Sequence, residues 1–394
     1  MGQGSQMDRS TDKSLIKLIL FAFLLRLLLS FLPSFEVDMS AWLAWAARLK
    51  TLGPAHFYSE TVWTQYMPGF LYWLWFLAKL NLATEFWIKL TVIAADIFTG
   101  LLIWQITKKK SFFLFYVLNP AIVFVGSIWG QIDGILTLFL LLAVYFLVFK
   151  KQPAISFVFW GIAFLIKPQA IAVLPFLIFF VFRKFPWRRA FSAGLSGVLT
   201  LSLGSILFFP KENLWGLFKL VRQMGEYYGY TSVFAFNFWS IIGMWKPDSI
   251  SIWGLPYFYW GLILYLLALG LIFIVFRNRI GQKTNIFLFT ALLAFAFFLF
   301  PTRVHERYLF PTLAFLLAAG KKRLYFLTSL LFLVNLYHPY AYYEIASSAS
   351  YSDNFLVFPS LLKLSGQLAP FIALSFLLIF GKMLFLVKTS YEKE

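Results

Sequence analysis

Cysteine is absent from the 394-residue sequence. The chain therefore has no disulfide framework, no thiolate metal site and no cysteine nucleophile. Charged residues are also scarce, at 13% of the chain, whereas a soluble domain usually carries about 25%. These shortages make the lipid bilayer the first solvent to consider for this sequence.

Apolar residues make up 61% of the chain. Apolar runs long enough to cross about 30 Å of hydrocarbon recur along the whole sequence. They leave no segment large enough for a separate soluble domain, so we predict one membrane domain over residues 14–388. The opening MGQGSQ resembles an expression-vector remnant and is excluded from fold reasoning.

Positive charge dominates, with a formal net charge of +18. The basic residues cluster in short stretches between apolar runs, which is typical of cytoplasmic loops rather than of a nucleic-acid surface. We therefore expect no nucleic-acid partner. The candidate cytoplasmic loops are 108–110, 150–151, 183–189, 277–283 and 321–323.

With these loops inside, the sequence predicts an all-α polytopic membrane protein of about twelve transmembrane helices. Tails 1–13 and 389–394 are then cytoplasmic. The predicted spans are 14–32, 85–107, 111–128, 130–149, 154–167, 169–183, 190–209, 252–276, 284–301, 306–320, 323–343 and 365–387. Residues 66–80 are apolar too, but rich in Trp and Tyr, and are interpreted as an interfacial or re-entrant helix.

Two long non-cytoplasmic loops follow from this threading, 33–84 and 210–251. Long loops in a compact protein are usually functional. The second loop carries Tyr227, Tyr228, Tyr230, Phe236 and Trp239, which suit either a lid over a site or an aromatic belt at the interface.

The first long loop opens with Glu36-Val37-Asp38, directly before a helical pattern that Gly53-Pro54 ends. Asp38 suits two roles. It could cap the helix N-terminus, or it could be a catalytic carboxylate on the outer face.

Two further turns reach the same predicted face. The turn WGQID, residues 129–133, contains Gln131 and Asp133, which could cap backbone groups or bind sugar hydroxyls or a cation. In the turn 167–169, Lys167 could reach a phosphate or extend toward lipid headgroups.

A basic cluster near the end of the chain, residues 303–308, is unexpected on a non-cytoplasmic face. Arg303, His305 and Arg307 offer donors that suit a phosphate, although Glu306 could instead form surface ion pairs with them.

Only Arg26 and Asp96 lie clearly inside predicted spans, where an uncompensated charge costs about 2.5–3.5 kcal/mol. We expect them to pair with each other. A proton-coupled transporter would show more ionisable residues at the midplane, whereas here most acidic side chains converge on one membrane surface.

Across nearly its whole length the chain resembles the GT-C superfamily of integral membrane glycosyltransferases. It is most similar to bacterial relatives of GPI mannosyltransferases and to eukaryotic glucosyltransferases that use dolichyl-phosphate glucose. The resemblance rests on Asp38 with Trp45 seven residues later, on segments 65–72, 129–133, 167–169 and 230–239, and on Val304-His-Glu-Arg307.

This resemblance implies a metal-independent, inverting transfer of a hexose, mannose first and glucose second, from a polyprenyl-phosphate donor. The acceptor would be a hydroxyl of a glycan, glycolipid or protein. No cofactor is implied. Asp38 would be the general base. The donor phosphate would bind Arg303, His305, Arg307 and Lys167, on the opposite side of the sugar from Asp38. Sugar or acceptor would bind Glu36, Trp45, Trp129, Gln131, Asp133, Asn237 and Glu306.

Two alternatives remain open at the level of sequence. A lipid-linked sugar flippase or secondary transporter would also need polar groups beside a lipid path. A retaining or metal-dependent transferase could hold Mg²⁺ or Mn²⁺ between Glu36, Asp38 and Asp133. We expect a monomer in a prokaryotic plasma membrane rather than in the ER membrane, with its site on the periplasmic or lumenal side.

Overall fold

The structure is a computed structural model that describes residues 3–59, 64–279, 281–347 and 354–389. Within these ranges the chain forms sixteen α-helices and one two-stranded hairpin. The fold is therefore all-α, as the sequence predicts. The predicted tails 1–13 and 389–394 lie partly outside the described residues.

The first half of the chain contributes eight α-helices within the described ranges. They are α1 (Gln3–Leu29), α2 (Glu36–Leu52), α3 (Pro68–Lys79), α4 (Glu85–Thr107), α5 (Lys110–Val117), α6 (Pro120–Val123), α7 (Asp133–Val148) and α8 (Pro153–Ile166). A π-helical turn follows α6 at Phe124–Trp129, and 3-10 turns occupy Pro54–His56 and Pro168–Val173.

The second half has eight more in the described ranges. They are α9 (Leu174–Lys184), α10 (Trp187–Ser205), α11 (Leu214–Tyr227), α12 (Tyr257–Phe276), α13 (Lys283–Leu299), α14 (Phe310–Ala318), α15 (Lys322–Ser347) and α16 (Pro359–Thr389). Further 3-10 turns span Phe238–Ile241 and Glu306–Leu309. Strands β1 (Ser251–Ile252) and β2 (Leu255–Pro256) pair antiparallel, with Ser251 opposite Pro256.

Three helices in the described residues are long and apolar enough to cross a membrane: α4, α12 and residues 359–387 of α16. A fourth span results if α5 and residues 120–129, which meet at a bend of 50°, count as one. A membrane location is compatible with these helices, but the predicted count of twelve spans is not supported.

The difference in count has a local cause, because several apolar runs are broken into short helices. Pro120, Pro153 and Pro168 each occupy the first turn of a new helical segment, where the fixed φ of proline is favourable. At the first of these breaks the side chain of Asn119 accepts a hydrogen bond from Ala121 N at 3.0 Å. Helices α7 and α8 are consequently 16 and 14 residues long, and α13 is also short, at 17 residues.

Both predicted long loops contain helices, and the first is mostly helical. The segment 33–84 contains α2 and α3, and 210–251 contains α11. The predicted helix within 66–80 is present as α3, whereas its position relative to a membrane stays a prediction. Helix α2 ends at Leu52, where Gly53 adopts φ 72°, a left-handed conformation that favours glycine.

The core lies around α13 and α14. Every residue of α14 is buried, and α13 is buried along almost its whole length. The peripheral helices instead expose large apolar side chains, among them Leu203, Ile274 and Leu378. A packed centre with an apolar exterior is what a lipid environment requires.

The predicted partnership of Arg26 and Asp96 is present. Both side chains are fully buried, and Arg26 Nη2 forms an ion pair with Asp96 Oδ2. Arg26 Nε also donates to Ser127 Oγ at 3.0 Å. The pair thereby connects α1 and α4 to the π-helical turn.

Candidate functional site

Asp38 lies in the first turn of α2, but it does not cap that helix. The N-cap residue is Phe35, and no side chain makes a capping hydrogen bond there. The carboxylate accepts two hydrogen bonds on Oδ2 instead, from Trp129 Nε1 at 2.9 Å and from Gln131 Nε2. Oδ1 has no hydrogen-bond donor in the described part of the chain, and the side chain is 15% exposed.

The π-helical turn and the glycine after it position both donors. Gly130 adopts φ 88°, and its N–H and that of Gln131 both donate to Val125 O, at 3.1 and 2.9 Å. A β-carbon at Gly130 would be strained by this φ and would lie 3.0 Å from Met39 Cε. The ring of Trp129 is fully buried, with its centroid 4.6 Å from that of Phe35.

Asp133 begins α7 and is fully buried. Lys167 Nζ donates to its Oδ2 at 2.7 Å, and Gln169 Nε2 donates to its Oδ1 at 3.3 Å. Lys167 also donates to Gln131 Oε1 at 3.2 Å. Both oxygens of Asp133 are therefore occupied, and the carboxylate anchors the 167–169 turn beneath Asp38.

Burial lowers the pKa of Lys167, and the carboxylate of Asp133 works against that change. A buried charge without a partner would be strongly unfavourable. The two residues therefore depend on each other, and the interpretation of Lys167 as a side chain extended to lipid headgroups does not describe its position, since it is 8% exposed.

Arg307 lies among three carboxylates. Its Nη1 is 2.7 Å from Glu306 Oε1 and 3.7 Å from Asp38 Oδ2, while its Nε is 3.8 Å from Asp133 Oδ2. The guanidinium also lies over the Trp129 ring, 5.0 Å from its centroid. Arg307 is therefore beside Asp38 and not across a sugar-sized gap from it, which differs from the predicted arrangement.

The charge state of this cluster follows from its burial. Burial disfavours the charged guanidinium, but Glu306 and Asp38 outweigh it and raise the pKa of Arg307, which stays charged. Burial also raises the pKa of Glu306, and Arg307 opposes that change. Glu306 is 2% exposed and lies behind Arg307, so it orients the guanidinium and is not a surface ion-pair partner.

Contacts of both the backbone and the ring fix the position of His305. It forms isolated β-bridges with Val233 and Phe234, and its ring centroid lies 4.7 Å from that of Tyr228. Burial, with Arg307 and Lys167 nearby, holds the pKa of His305 well below its ordinary value. The imidazole is therefore neutral at pH 7 and offers one N–H donor.

The guanidinium of Arg303 binds Asp248, a carboxylate that was not predicted to belong to the site. Its Nε and Nη2 donate to Asp248 Oδ2 and Oδ1 at 2.6 and 3.2 Å, and its Nη1 donates to Gly225 O at 2.7 Å. The guanidinium also lies 4.4 Å from the centroid of the Phe258 ring. Arg303 thereby ties α11 and the start of α12 to the 303–308 segment.

Three other predicted site residues lie outside this group of charged side chains. Glu36 is exposed at the start of α2, and Trp45 is buried, with its ring centroid 5.3 Å from that of Tyr66. Asn237 is fully buried; its side chain accepts from Trp239 N at 3.1 Å and donates to Phe298 O at 3.2 Å. Asn237 therefore stabilises the backbone of the 237–241 turn.

A cavity of about 380 Å³ opens over the cluster, and Asp38, Lys167, Arg303, His305 and Arg307 all contribute to its wall. An apolar groove of about 720 Å³ adjoins it between α9 and α12. The cavity and the groove share Ile171, Phe258, Phe297, Pro301 and Thr302. A polar cavity therefore continues into an apolar path along the outside of the bundle.

Sequence reasoning missed three polar residues of this wall as site residues: Gln65, Tyr66 and Gln169. Tyr66 donates its hydroxyl to Gln131 Oε1 at 3.3 Å. All three belong to the segments 65–72 and 167–169 that carry the GT-C resemblance. Their positions within those segments are the sequence feature that could have identified them as site residues.

Within the described ranges, no three His, Asp or Glu side chains are grouped so that they could hold a metal ion. The trio considered from the sequence is separated, because Glu36 is exposed and both oxygens of Asp133 are occupied. No protein-family model matches the chain, and no curated protein matches it.

Proposed function

We propose that this protein is an inverting membrane glycosyltransferase that moves a hexose from a polyprenyl-phosphate carrier to a hydroxyl acceptor. The observation that carries the proposal is the state of Asp38. Its Oδ2 is held by Trp129 and Gln131, while Oδ1 has no donor in the described chain and the side chain borders the cavity. A fixed carboxylate with one free oxygen suits a general base.

In the proposed reaction Oδ1 of Asp38 takes the proton of the acceptor hydroxyl. The hydroxyl oxygen then forms a bond to the anomeric carbon, and the bond from that carbon to the phosphate oxygen breaks. The polyprenyl phosphate leaves with the bonding electrons and gains negative charge. Cations fixed in advance around the phosphate would stabilise that charge more strongly in the transition state than in the ground state.

Arg307 is the cation proposed for the phosphate, because it stays charged and borders the cavity. Its Nη1 lies 3.7 Å from Asp38 Oδ2, so an inverting transfer requires the donor phosphate to contact the side of the guanidinium that faces away from Asp38. Neutral His305 would add one N–H donor, and Lys167 a second cation. Arg303 would shape the wall through Asp248 and not bind phosphate directly.

The apolar groove supports a lipid-linked donor. It adjoins the cavity, and its wall carries Leu174, Ile178, Leu262, Leu269 and Phe273. A prenyl chain that moves from the bilayer into this groove gains no hydrophobic free energy, so the groove would position the lipid through van der Waals contacts. The polar head would then lie at the mouth of the cavity.

The proposal includes a GT-C-like fold, several membrane crossings and a site on the periplasmic or lumenal side of, preferably, a prokaryotic plasma membrane. Mannose is proposed first and glucose second, with no cofactor and a monomeric enzyme.

The cysteine-free chain offers a direct test of which side of the membrane the site faces. Exposed Glu36, at the start of the helix that carries Asp38, and exposed Lys109, just after the end of α4, can each be replaced by cysteine. An impermeant reagent outside intact cells should label the cysteine at 36 alone.

The test of function is transfer of radiolabelled mannose or glucose from short-chain polyprenyl-phosphate donors by the purified protein, with acceptor extracts and EDTA. Asp38→Asn should lower the rate by about 10²–10⁴-fold. Glu36→Gln is the matched control, because this exposed carboxylate lies away from the cavity, and it should retain the wild-type rate.

Wild-type turnover in Asp38→Asn would contradict the base assignment, and loss of turnover in EDTA would favour a metal-dependent transferase. Absence of turnover with either donor would favour transport.

A further inference from the structure

Two glutamines in the cavity wall have buried amide atoms without partners. Gln169 is 5% exposed; its Nε2 donates to Asp133, and its Oε1 has no partner in the described residues. Gln65 Nε2 is also buried, and no described residue accepts a hydrogen bond from it. Both side chains contribute to the 380 Å³ cavity. One unpaired acceptor and one unpaired donor therefore lie just behind the wall, with almost no exposed surface, and the wall must shift slightly for a ligand to reach them.

Buried polar atoms in folded proteins nearly always have a hydrogen-bond partner, and leaving one unpaired is unfavourable. The orientation of the Gln169 amide is fixed, because Asp133 Oδ1 can only accept from the amide N–H. Its carbonyl oxygen is thus constrained to be the free atom. Unpaired groups in a cavity wall are what a site built for a polar ligand contains before the ligand binds.

The chemistry of the two atoms limits the ligand. A phosphate offers only acceptors near neutral pH and would be repelled by Gln169 Oε1 and by the adjacent Asp133. A prenyl chain offers neither a donor nor an acceptor. A sugar hydroxyl both donates and accepts, so it satisfies either glutamine.

Position favours the sugar of the donor over that of the acceptor. Gln169 lies in the 3-10 turn Pro168–Val173, and Ile171 of the same turn borders both the cavity and the apolar groove. A sugar attached to a lipid in the groove would therefore enter the cavity beside Gln169.

We infer that Gln65 and Gln169 form a hydroxyl-binding pair that recognises the hexose of the lipid-linked donor. This inference rests on the proposed function, since it assigns the sugar subsite of the same cavity. Gln169 Oε1 accepts from one ring hydroxyl, and Gln65 Nε2 donates to another. The pair adds sugar recognition to the lipid and phosphate contacts.

The test compares two probes on purified protein in lipid nanodiscs: short-chain polyprenyl-phosphate hexose, as mannose and as glucose, and the same lipid phosphate without sugar. Wild type should bind one sugar-bearing lipid at least about tenfold more tightly than the bare lipid phosphate, as expected for hydrogen bonds to buried groups. Gln169→Leu and Gln65→Leu should each remove most of this difference, and Gln65→Leu should leave affinity for the bare lipid phosphate unchanged.

Two comparisons separate recognition from folding. Gln65 has no hydrogen-bond partner to lose in the described chain, so Gln65→Leu should preserve the fold even if Gln169→Leu disturbs Asp133. Gln223→Leu is the matched control, because Gln223 is exposed on α11 and does not border the cavity. It should bind both probes as wild type does.

The outcomes separate this inference from the proposed function. If wild type binds the bare lipid phosphate as tightly as both sugar-bearing lipids, the hydroxyl-binding pair is wrong and a lipid-phosphate site remains. Equal loss of affinity for both probes in Gln65→Leu would also overturn the pair. If neither kind of lipid binds, the proposed function fails and the inference fails with it.

Discussion

The indole nitrogen of Trp129 donates a hydrogen bond to Oδ2 of Asp38 at 2.9 Å, although 91 residues separate them in sequence. The contact joins the start of α2 to the end of the π-helical turn. Together with Gln131, it fixes one oxygen of the carboxylate and leaves the other toward the cavity. The orientation of Asp38 therefore depends on a turn that does not itself need to contact substrate.

Trp129→Phe should lower the rate of sugar transfer by roughly tenfold, because a buried carboxylate oxygen loses one of two donors, while an aromatic ring still fills part of the site. Trp42→Phe is the matched control. Trp42 is also fully buried, but its indole nitrogen has no partner in the described residues. Both variants should be shown to have similar thermal stability before their rates are compared. Similar losses in both would show that ring packing, and not the hydrogen bond, matters.

The Arg26–Asp96 pair should behave as a buried ion pair. Arg26→Met or Asp96→Leu alone should destabilise the protein by about 3–5 kcal/mol, because each leaves an uncompensated buried charge, while the double variant should recover most of the loss. Unfolding followed by tryptophan fluorescence in detergent measures this. Arg222→Met, which breaks an exposed ion pair with Glu226, should have no measurable effect. Additive losses in the double variant would contradict the coupling.

His305 should make stability fall as the pH drops below about 6.5. Its pKa is held well below the ordinary value in the folded protein. Below about pH 6.5 the unfolded chain therefore takes up a proton that the folded protein does not. Stability present above pH 6.5 is then lost at roughly 1.4 kcal/mol per pH unit until the folded-state pKa is reached.

The measurement is the difference in unfolding free energy between wild type and His305→Gln from pH 8 to pH 5, which should shrink as the pH falls. His56→Gln, at an exposed position, should keep the wild-type slope. Glu306 has the opposite effect on the pH dependence. Because its pKa is raised in the folded protein, the free energy of unfolding falls as the pH rises. A slope unchanged in His305→Gln would rule out this origin.

Leu262→Trp should obstruct the apolar groove. Leu262 borders the groove on α12, whereas Leu266 on the same helix is exposed without bordering it. The indole would occupy space that the prenyl chain needs, and losing about 1.4 kcal/mol of packing contacts would raise KM for a long-chain donor by roughly tenfold. KM for a two-isoprene donor should stay the same, and Leu266→Trp should leave both unchanged. Equal KM changes for both donors in Leu262→Trp would argue against a lipid in the groove.

Sequence patterns predicted the features that depend on local chemistry. The helix-stopping Gly53-Pro54, the helix within 66–80 and the pairing of Arg26 with Asp96 all follow from propensity or from the cost of burying charge. The all-α fold follows from the apolar runs. The number of spans does not, because proline and a π-helical turn divide runs that hydropathy alone reads as continuous.

The site could be predicted only in part, because its contacts are distant in sequence. Asp38 and the 129–133 turn were identified, but their hydrogen bonds were not. Arg303 was expected to bind phosphate, yet Asp248, 55 residues earlier, accepts from its Nε and Nη2, and Gly225 O accepts from its Nη1. Asp133 was expected to bind sugar, but Lys167 and Gln169 occupy it. Such choices of partner depend on packing that no local pattern encodes.

The position of Arg307 has a consequence for the order in which the protein is made. Asp38, Trp129 and Gln131 are all synthesised in the first third of the chain, whereas Arg307 arrives only in the last quarter. Chains generally acquire structure from the N-terminus during synthesis. The core around α13 and α14 is made only with residues 283–318, however, so the three residues can be fixed in place only after most of the chain exists. A nascent chain released before residue 300 would contain Asp38, Trp129 and Gln131, yet it would lack both α14 and the cavity wall that Arg307 completes.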